Sequence, residues 1–189
     1  MRIISGRFKG RQLVAFKSPH IRPTTDRVKE TIFNILMHDV AEAQVLDLFS
    51  GTGNLGLEAL SRGARSVLFV EHSRDSLRII SENIKLLKVE SETAIKSQDV
   101  FKFLKNFKGE PKGLILCDPP FTEKIGHEVM QAIVASPIAI AGAKLVIESG
   151  KHERIDELYE DKAQGSFRLL DRRDFGDTCA SFFVFSKPE

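Results

Sequence analysis

Asp47-Leu48-Phe49-Ser50-Gly51-Thr52-Gly53-Asn54-Leu55-Gly56 sets three glycines at G-x-G-x-x-G spacing between an apolar run, residues 45–49, and a helical pattern, residues 55–62. Strand, glycine-rich turn and helix in that order open a doubly wound sheet. The alternation continues outward. A strand over 67–70 ends at Glu71, and Ser73 can cap a helix over 74–88. A strand over 93–97 leads to Asp99 and a short helix with Phe103, Leu104 and Phe107. The apolar run 114–117 ends at Asp118; helix 123–135 carries Ile125, Val129 and Ile133 on one face, and Pro137 separates it from a strand over 144–147. Two β-rich segments, 167–170 and 179–185, flank Phe175-Gly176-Asp177 and read as an antiparallel pair. The pattern predicts an α/β fold with helices on both faces of the sheet and ligands outside the carboxyl ends of its strands.

With 189 residues, 42% of them hydrophobic, the chain can bury a full core. It divides into an N-terminal unit over 1–40 and a main domain over 41–189. The net charge of +2 hides an asymmetry: among residues 1–30, eight cations (Arg2, Arg7, Lys9, Arg11, Lys17, Arg22, Arg27 and Lys29) face only Asp26 and Glu30, a local +6. Such a patch is the footprint of a phosphate-backbone contact, or else a solvated basic arm. Gly6 and Gly10 between short apolar-basic runs suggest a small hairpin, Pro19 and Pro23 bound a linker, and Thr25 or Asp26 can cap a helix with Val28, Ile32, Ile35 and Leu36 on one face. Cys117 and Cys179 lie far apart in apolar runs, as small buried hydrophobes do, and the five histidines show no ligand spacing, so no metal is expected. Neither a signal peptide nor a membrane span is legible, which points to the cytoplasm.

Spacing alone allows a dinucleotide site, with Glu71 twenty residues beyond Gly51. Asp47 argues against it. A carboxylate beneath the turn repels a pyrophosphate and attracts an ammonium or sulfonium. S-adenosylmethionine carries both cations and no phosphate. Asp47, Phe49, Gly51, Thr52 and Gly53 are therefore candidate cofactor residues; Glu71 can accept from the ribose hydroxyls and Asp99 from the adenine amino group, with the Val100 amide facing the ring. Taken singly, Asp47 and Asp99 could be helix caps and Glu71 a solvated strand end. Asp118-Pro119-Pro120-Phe121 closes the next strand in a stiff loop, because proline fixes its own φ and holds its predecessor extended. The Asp118 carboxylate and Pro119 carbonyl can accept both N–H bonds of a planar exocyclic amine while its ring stacks on Phe121. A plain strand-ending turn is the alternative for that motif in isolation.

The turn at 47–56 followed by Asp118-Pro119-Pro120-Phe121 resembles the amino-group methyltransferases, whose fourth motif is Asp/Asn/Ser-Pro-Pro-Tyr/Phe. More narrowly, Arg2-Ile3-Ile4-Ser5-Gly6, the segment Arg22-Pro23-Thr24-Thr25-Asp26-Arg27-Val28-Lys29-Glu30, and Gly176-Asp177-Thr178 with Ser181-Phe182-Phe183 resemble the bacterial small-subunit ribosomal RNA guanine-N2 methyltransferases over nearly the whole chain. The resemblance implies a Rossmann-like class I S-adenosylmethionine-dependent methyltransferase fold, seven-stranded, with the last strand inserted antiparallel. It also implies catalytic roles for Asp118, Pro119 and Phe121, and an N-terminal extension binding ribosomal RNA in a small-subunit particle, with Arg2, Arg7, Lys9, Arg11, Arg22 and Arg27 as its contacts. A monomer is expected. Three rivals are a DNA adenine or cytosine methyltransferase, for whose target-recognition domain the chain is short, a noncatalytic nucleic-acid-binding module, and a small-molecule methyltransferase. The Asp-Pro-Pro-Phe motif alone does not choose the base.

Overall fold

The computed structural model describes residues 1–16 and 25–188. Its centre is one eight-stranded sheet in the order β3-β2-β1-β4-β5-β8-β7-β6. Strands β1 (Gln44–Leu48), β2 (Ser66–Glu71), β3 (Thr93–Ser97), β4 (Lys112–Cys117) and β5 (Ala139–Gly150) run parallel. β8 (Thr178–Ser186) is inserted antiparallel between β5 and β7 (Gly165–Phe175). The short β6 (Leu158–Asp161) pairs with β7 and makes eight strands where seven were expected.

Alternation along the strands splits the core into two layers. Val45, Val67, Phe69, Leu114, Leu116, Val146, Ala180 and Phe182 face one cluster, covered by α1 (Asp26–Leu36), α2 (Asn54–Ser61) and α3 (Arg74–Leu87). Leu46, Leu48, Val70, Ile115, Leu145, Ile147 and Phe183 face the other, under α4 (Val100–Lys105) and α5 (Gly126–Val134). Helices thus cover both faces, as the sequence pattern requires. Ser73 caps α3 and Thr25 caps α1, each accepting an amide three residues on.

The expected N-terminal hairpin is a short antiparallel pairing around the bridge of Arg2 with Gln12, in which the Ile3 amide donates to the Arg11 carbonyl, the Gly10 amide to the Ile3 carbonyl and the Leu13 amide to the Met1 carbonyl. Other polar contacts of the segment go to helices. Glu58 of α2 accepts the Ile4 and Ser5 amides at 2.8 and 3.1 Å, the Ser61 hydroxyl accepts the Phe8 amide, and Asn83 of α3 both accepts from and donates to the Val14 backbone. Ile3 and Leu13 join the same apolar cluster as α1 and the sheet.

Lys29, counted above among the basic residues, is fully buried. Its ammonium donates to the Arg2 carbonyl at 2.6 Å, to Asn54 at 2.8 Å and to Glu58 at 3.2 Å, and Glu58 also accepts from Arg62. Burial lowers the lysine pKa while Glu58 opposes the shift. Removing one partner of a buried pair strands the other, so Lys29→Met is expected to destabilise the protein by about 3 kcal/mol. Pairing it with Glu58→Gln, which removes the stranded charge and keeps an acceptor for the Ile4 and Ser5 amides, should recover part of that loss in thermal melts; a Lys29→Met variant as stable as wild type would contradict the network.

Candidate functional site

The candidate cofactor and amine-binding residues lie at the carboxyl ends of β1, β2, β3 and β4. β1 delivers Asp47, which is 2% exposed and accepts the Gly56 amide at 2.9 Å through Oδ2. A Cβ at Gly56 would stand 2.8 Å from that oxygen and 2.5 Å from the Phe69 ring, so the third glycine is required for close packing on β1 and β2. Between them Phe49 takes φ 56°, Gly51 φ 53° and Gly53 φ 78°, three left-handed residues that fold the turn back over the strand end. Ser50 pins it, donating to the Asp47 carbonyl at 2.6 Å and accepting the Val70 amide at 3.1 Å.

Glu71, at the end of β2, accepts the Gly51 amide through Oε2 and the His72 and Ser73 amides through Oε1. The turn and the second strand end are therefore one hydrogen-bonded unit. Asp99 caps α4 by accepting the Lys102 amide at 2.9 Å, and Val100 is the first helical residue, whose amide belongs to those a helix leaves without an internal partner. Asp118 continues the β4 ladder, donating its amide to the Leu48 carbonyl at 3.3 Å; Pro119 is buried and Phe121 half-buried. Glu153, in the segment after β5, ties the start of α5 to the end of β5, accepting the Gly126 amide at 2.6 Å and the Gly150 amide at 3.1 Å.

Burial pushes the Asp47 carboxyl up to about 8; the Gly56 amide opposes this, and the charges of Asp118 and Glu71 add to it. Burial likewise raises the Cys117 thiol, with Asp118, Asp47 and Glu153 contributing. These acids form a field that a cation would relieve. Among the described residues no cluster could hold a metal ion. Four acidic residues and a glycine-lined backbone suit a positively charged, hydroxyl-bearing, phosphate-free ligand, and so fit S-adenosylmethionine better than a dinucleotide.

The sequence reading missed three supports. Asn83 donates to the Thr52 carbonyl at 3.0 Å, tying the turn to α3 and to Val14. Lys29 and Asn54 meet where α2 leaves the turn, and Glu153 holds the start of α5, the helix that follows the Asp118–Phe121 loop. A signal existed for two of them: Asn83 falls on the apolar face with Ile79, Ile80, Ile84 and Leu87, and Lys29 with Val28, Ile32, Phe33 and Leu36.

Five of the predicted RNA contacts, Arg2, Arg7, Lys9, Arg11 and Arg27, lie among the described residues. Arg2 pairs with Asp26 at 2.8 Å. Arg7 pairs with Glu92, just before β3, and stacks over Phe8 at 4.6 Å, so it sits at the amino ends of the strands, opposite the loop that carries Asp118 and Phe121. Lys9, Arg11 and Arg27 are exposed. Arg22 and Thr24, with the linker prolines Pro19 and Pro23, lie outside the described residues.

The family described as Conserved hypothetical protein 95 matches residues 1–184. The chain is 34% identical over 188 residues to ribosomal RNA small subunit methyltransferase D of Escherichia coli K12, covering 95% of this chain and 94% of the other. The protein of the same name from Haemophilus influenzae is 36% identical over 153 residues, covering 80% and 79%. The solved structure of Escherichia coli yhhF superposes with a TM-score of 0.85 at 29% identity, over 99% of this chain and 98% of that one.

Proposed function

The chain belongs to the Conserved hypothetical protein 95 family, and from that membership and the geometry of the site we propose that it transfers a methyl group from S-adenosylmethionine to the exocyclic N2 amine of a guanine in small-subunit ribosomal RNA. One observation carries the reading: a buried carboxylate locked beneath a left-handed glycine turn stands electrostatically coupled to the acid of an Asp-Pro-Pro-Phe loop on the next strand. Residues 41–189 serve as the methyltransferase domain and residues 1–40 as its RNA-binding extension.

Bound S-adenosylmethionine supplies a methyl group already activated by its sulfonium. Asp47 and the Gly51–Gly53 backbone hold its amino-acid part, Glu71 its ribose hydroxyls, and Asp99 with the Val100 amide its adenine. Asp118 and the Pro119 carbonyl accept the two N2–H bonds of guanine. The N2 lone pair is delocalised into the ring, so attack requires the nitrogen to pyramidalise and gain positive charge. Acceptors fixed in advance stabilise that charge without reorganising. Alignment of amine and methyl supplies much of the remaining acceleration. Asp118 takes a proton only after transfer, when the nitrogen becomes acidic. Phe121 stacks on the base, which reaches the pocket unpaired or flipped.

Arg2, Arg7, Lys9, Arg11, Arg22 and Arg27 are the proposed phosphate contacts. A six-residue strand spans about 20 Å, so RNA touching both Phe121 and Arg7 must follow the flank of the domain from one end of the sheet to the other. Lys9→Gln and Arg11→Gln should each flatten the salt dependence of RNA binding by about 0.7 in log–log slope, with cofactor affinity unchanged. Unaltered slopes would make the arm merely solvating.

The reading is tested by methyl transfer from labelled S-adenosylmethionine to hypomethylated small subunits, free ribosomal RNA and duplex DNA, followed by nucleoside analysis. Label in N2-methylguanosine from the ribosomal substrates is expected. Label in methyladenine or methylcytosine of DNA would overturn it.

A further inference from the structure

Asp-Pro-Pro-Phe handles an exocyclic amine but does not choose among guanine, adenine and cytosine, and a residue one strand over supplies that choice. The parallel pairing of β4 with β5 runs to Cys117 opposite Ile147. β5 continues past Ile147 to Gly150, and the bond of the Asp118 amide to the Leu48 carbonyl of β1 keeps β4 in line for one residue beyond Cys117, so the β4–β5 register carried one step further sets Asp118 beside Glu148, at an interstrand spacing of about 4.8 Å. Alternation puts Glu148 on the face of Val146, as it puts Asp118 on that of Leu116 and Asp47 on that of Val45, all three apolar residues belonging to one cluster. Glu148 is 4% exposed at the carboxyl end of β5, and its cross-strand partner on β8 is the small Ala180.

Resting on the guanine-N2 reading above, we propose that Glu148 is the specificity-determining residue that accepts the N1–H of the target guanine while Asp118 and the Pro119 carbonyl hold its N2 amine. Guanine presents N1–H and N2–H side by side, two donors on one edge. Two carboxylates side by side on adjacent strands match that edge. Adenine at N1 and cytosine at N3 present a lone pair there, which a carboxylate repels and leaves unpaired, and a site built for a donor rejects the analogue lacking it.

The test first locates the methylated guanine in hypomethylated small-subunit RNA by nucleoside and fragment analysis with the wild-type enzyme. It then compares that RNA with one carrying 2-aminopurine at the same position, which keeps the N2 amine but lacks N1–H. Wild type should prefer guanine, and Glu148→Gln, whose amide can face either edge, should lose guanine activity by about 10- to 100-fold, the range for a hydrogen bond to a charged group, while 2-aminopurine activity holds or rises. Glu148→Asp, which keeps the charge but withdraws it by one methylene, should lose rate yet still reject 2-aminopurine. Cofactor affinity and melting temperature, measured alongside, separate loss of fold from loss of recognition. Unchanged discrimination in Glu148→Gln, with wild type still producing N2-methylguanosine, overturns the role of Glu148 alone. Absence of N2-methylguanosine from wild type overturns the functional reading beneath it.

Discussion

Asp118→Ala should reduce methyl transfer by roughly 1,000-fold, the upper range for loss of one preorganised group that stabilises developing charge. Binding of S-adenosylmethionine should survive. The carboxylate ends β4, whereas the cofactor turn is held by contacts that do not involve it: Gly56 on Asp47, Gly51 on Glu71 and Thr52 on Asn83. Its negative charge also raises the Asp47 pKa, so removing it eases ionisation of Asp47 and leaves cofactor affinity at neutral pH equal or slightly tighter. Asp118→Asn, which keeps an acceptor without the charge, should fall between the two enzymes. Single-turnover transfer and calorimetric cofactor binding, measured on the same preparations, separate the effects. Near-full turnover in Asp118→Ala would remove the residue from the mechanism.

Residues 45 to 118 were legible because each step carries a local cause: an apolar run, an acid at its end, a capping residue, then helical spacing. β3 (Thr93–Ser97) and the start of α3 at Arg74 lie where these signals place them. The features that escaped depend on distant partners. β5 is twelve residues long, but its first part carries Gly142 at φ 80° and an irregular register against Lys112 and Leu114, so only 144–147 read as strand. β6, Leu-Tyr-Glu-Asp, has too little apolar content to announce itself and exists as an edge because β7 offers it a partner. In the site, Asp47 was readable from chemistry, since a carboxylate under a glycine turn excludes a phosphate. Glu58 and Glu153 were not, because each acts on a segment 27 to 54 residues away, and the apolar face of α3 marked Asn83 as buried without naming its partner 69 residues away. Lys29 was misplaced for a related reason: composition counts a lysine as surface charge, while the fold encloses it with Glu58.

Asp47→Asn should abolish cofactor binding and at the same time stabilise the unliganded protein in alkaline solution. Folded, the carboxyl keeps its proton until about pH 8; in an unfolded chain it is lost near its ordinary value of 3.8. The stability contributed by this group is therefore fully present below pH 3.8 and is lost as pH rises towards about 8, by up to ~1.4 kcal/mol per pH unit. Asparagine removes that dependence, and its carbonyl oxygen can still accept the Gly56 amide, so the variant should melt above wild type at about pH 9 by a margin that shrinks as the pH is lowered. Cofactor binding has the opposite requirement, because the ammonium of S-adenosylmethionine needs the carboxylate ionised. Below about pH 8 the wild-type protein must release a proton to bind, so its affinity should climb with pH by up to ~10-fold per unit and level off above 8. Calorimetry in buffers of different ionisation enthalpy counts that proton directly. Wild-type affinity in Asp47→Asn, or cofactor binding without proton release at neutral pH, would show that the charge beneath the turn is not what holds the ligand. The instability of the empty site and its affinity for a cation would then have separate origins, whereas the buried carboxylate against Gly56 assigns both to one group.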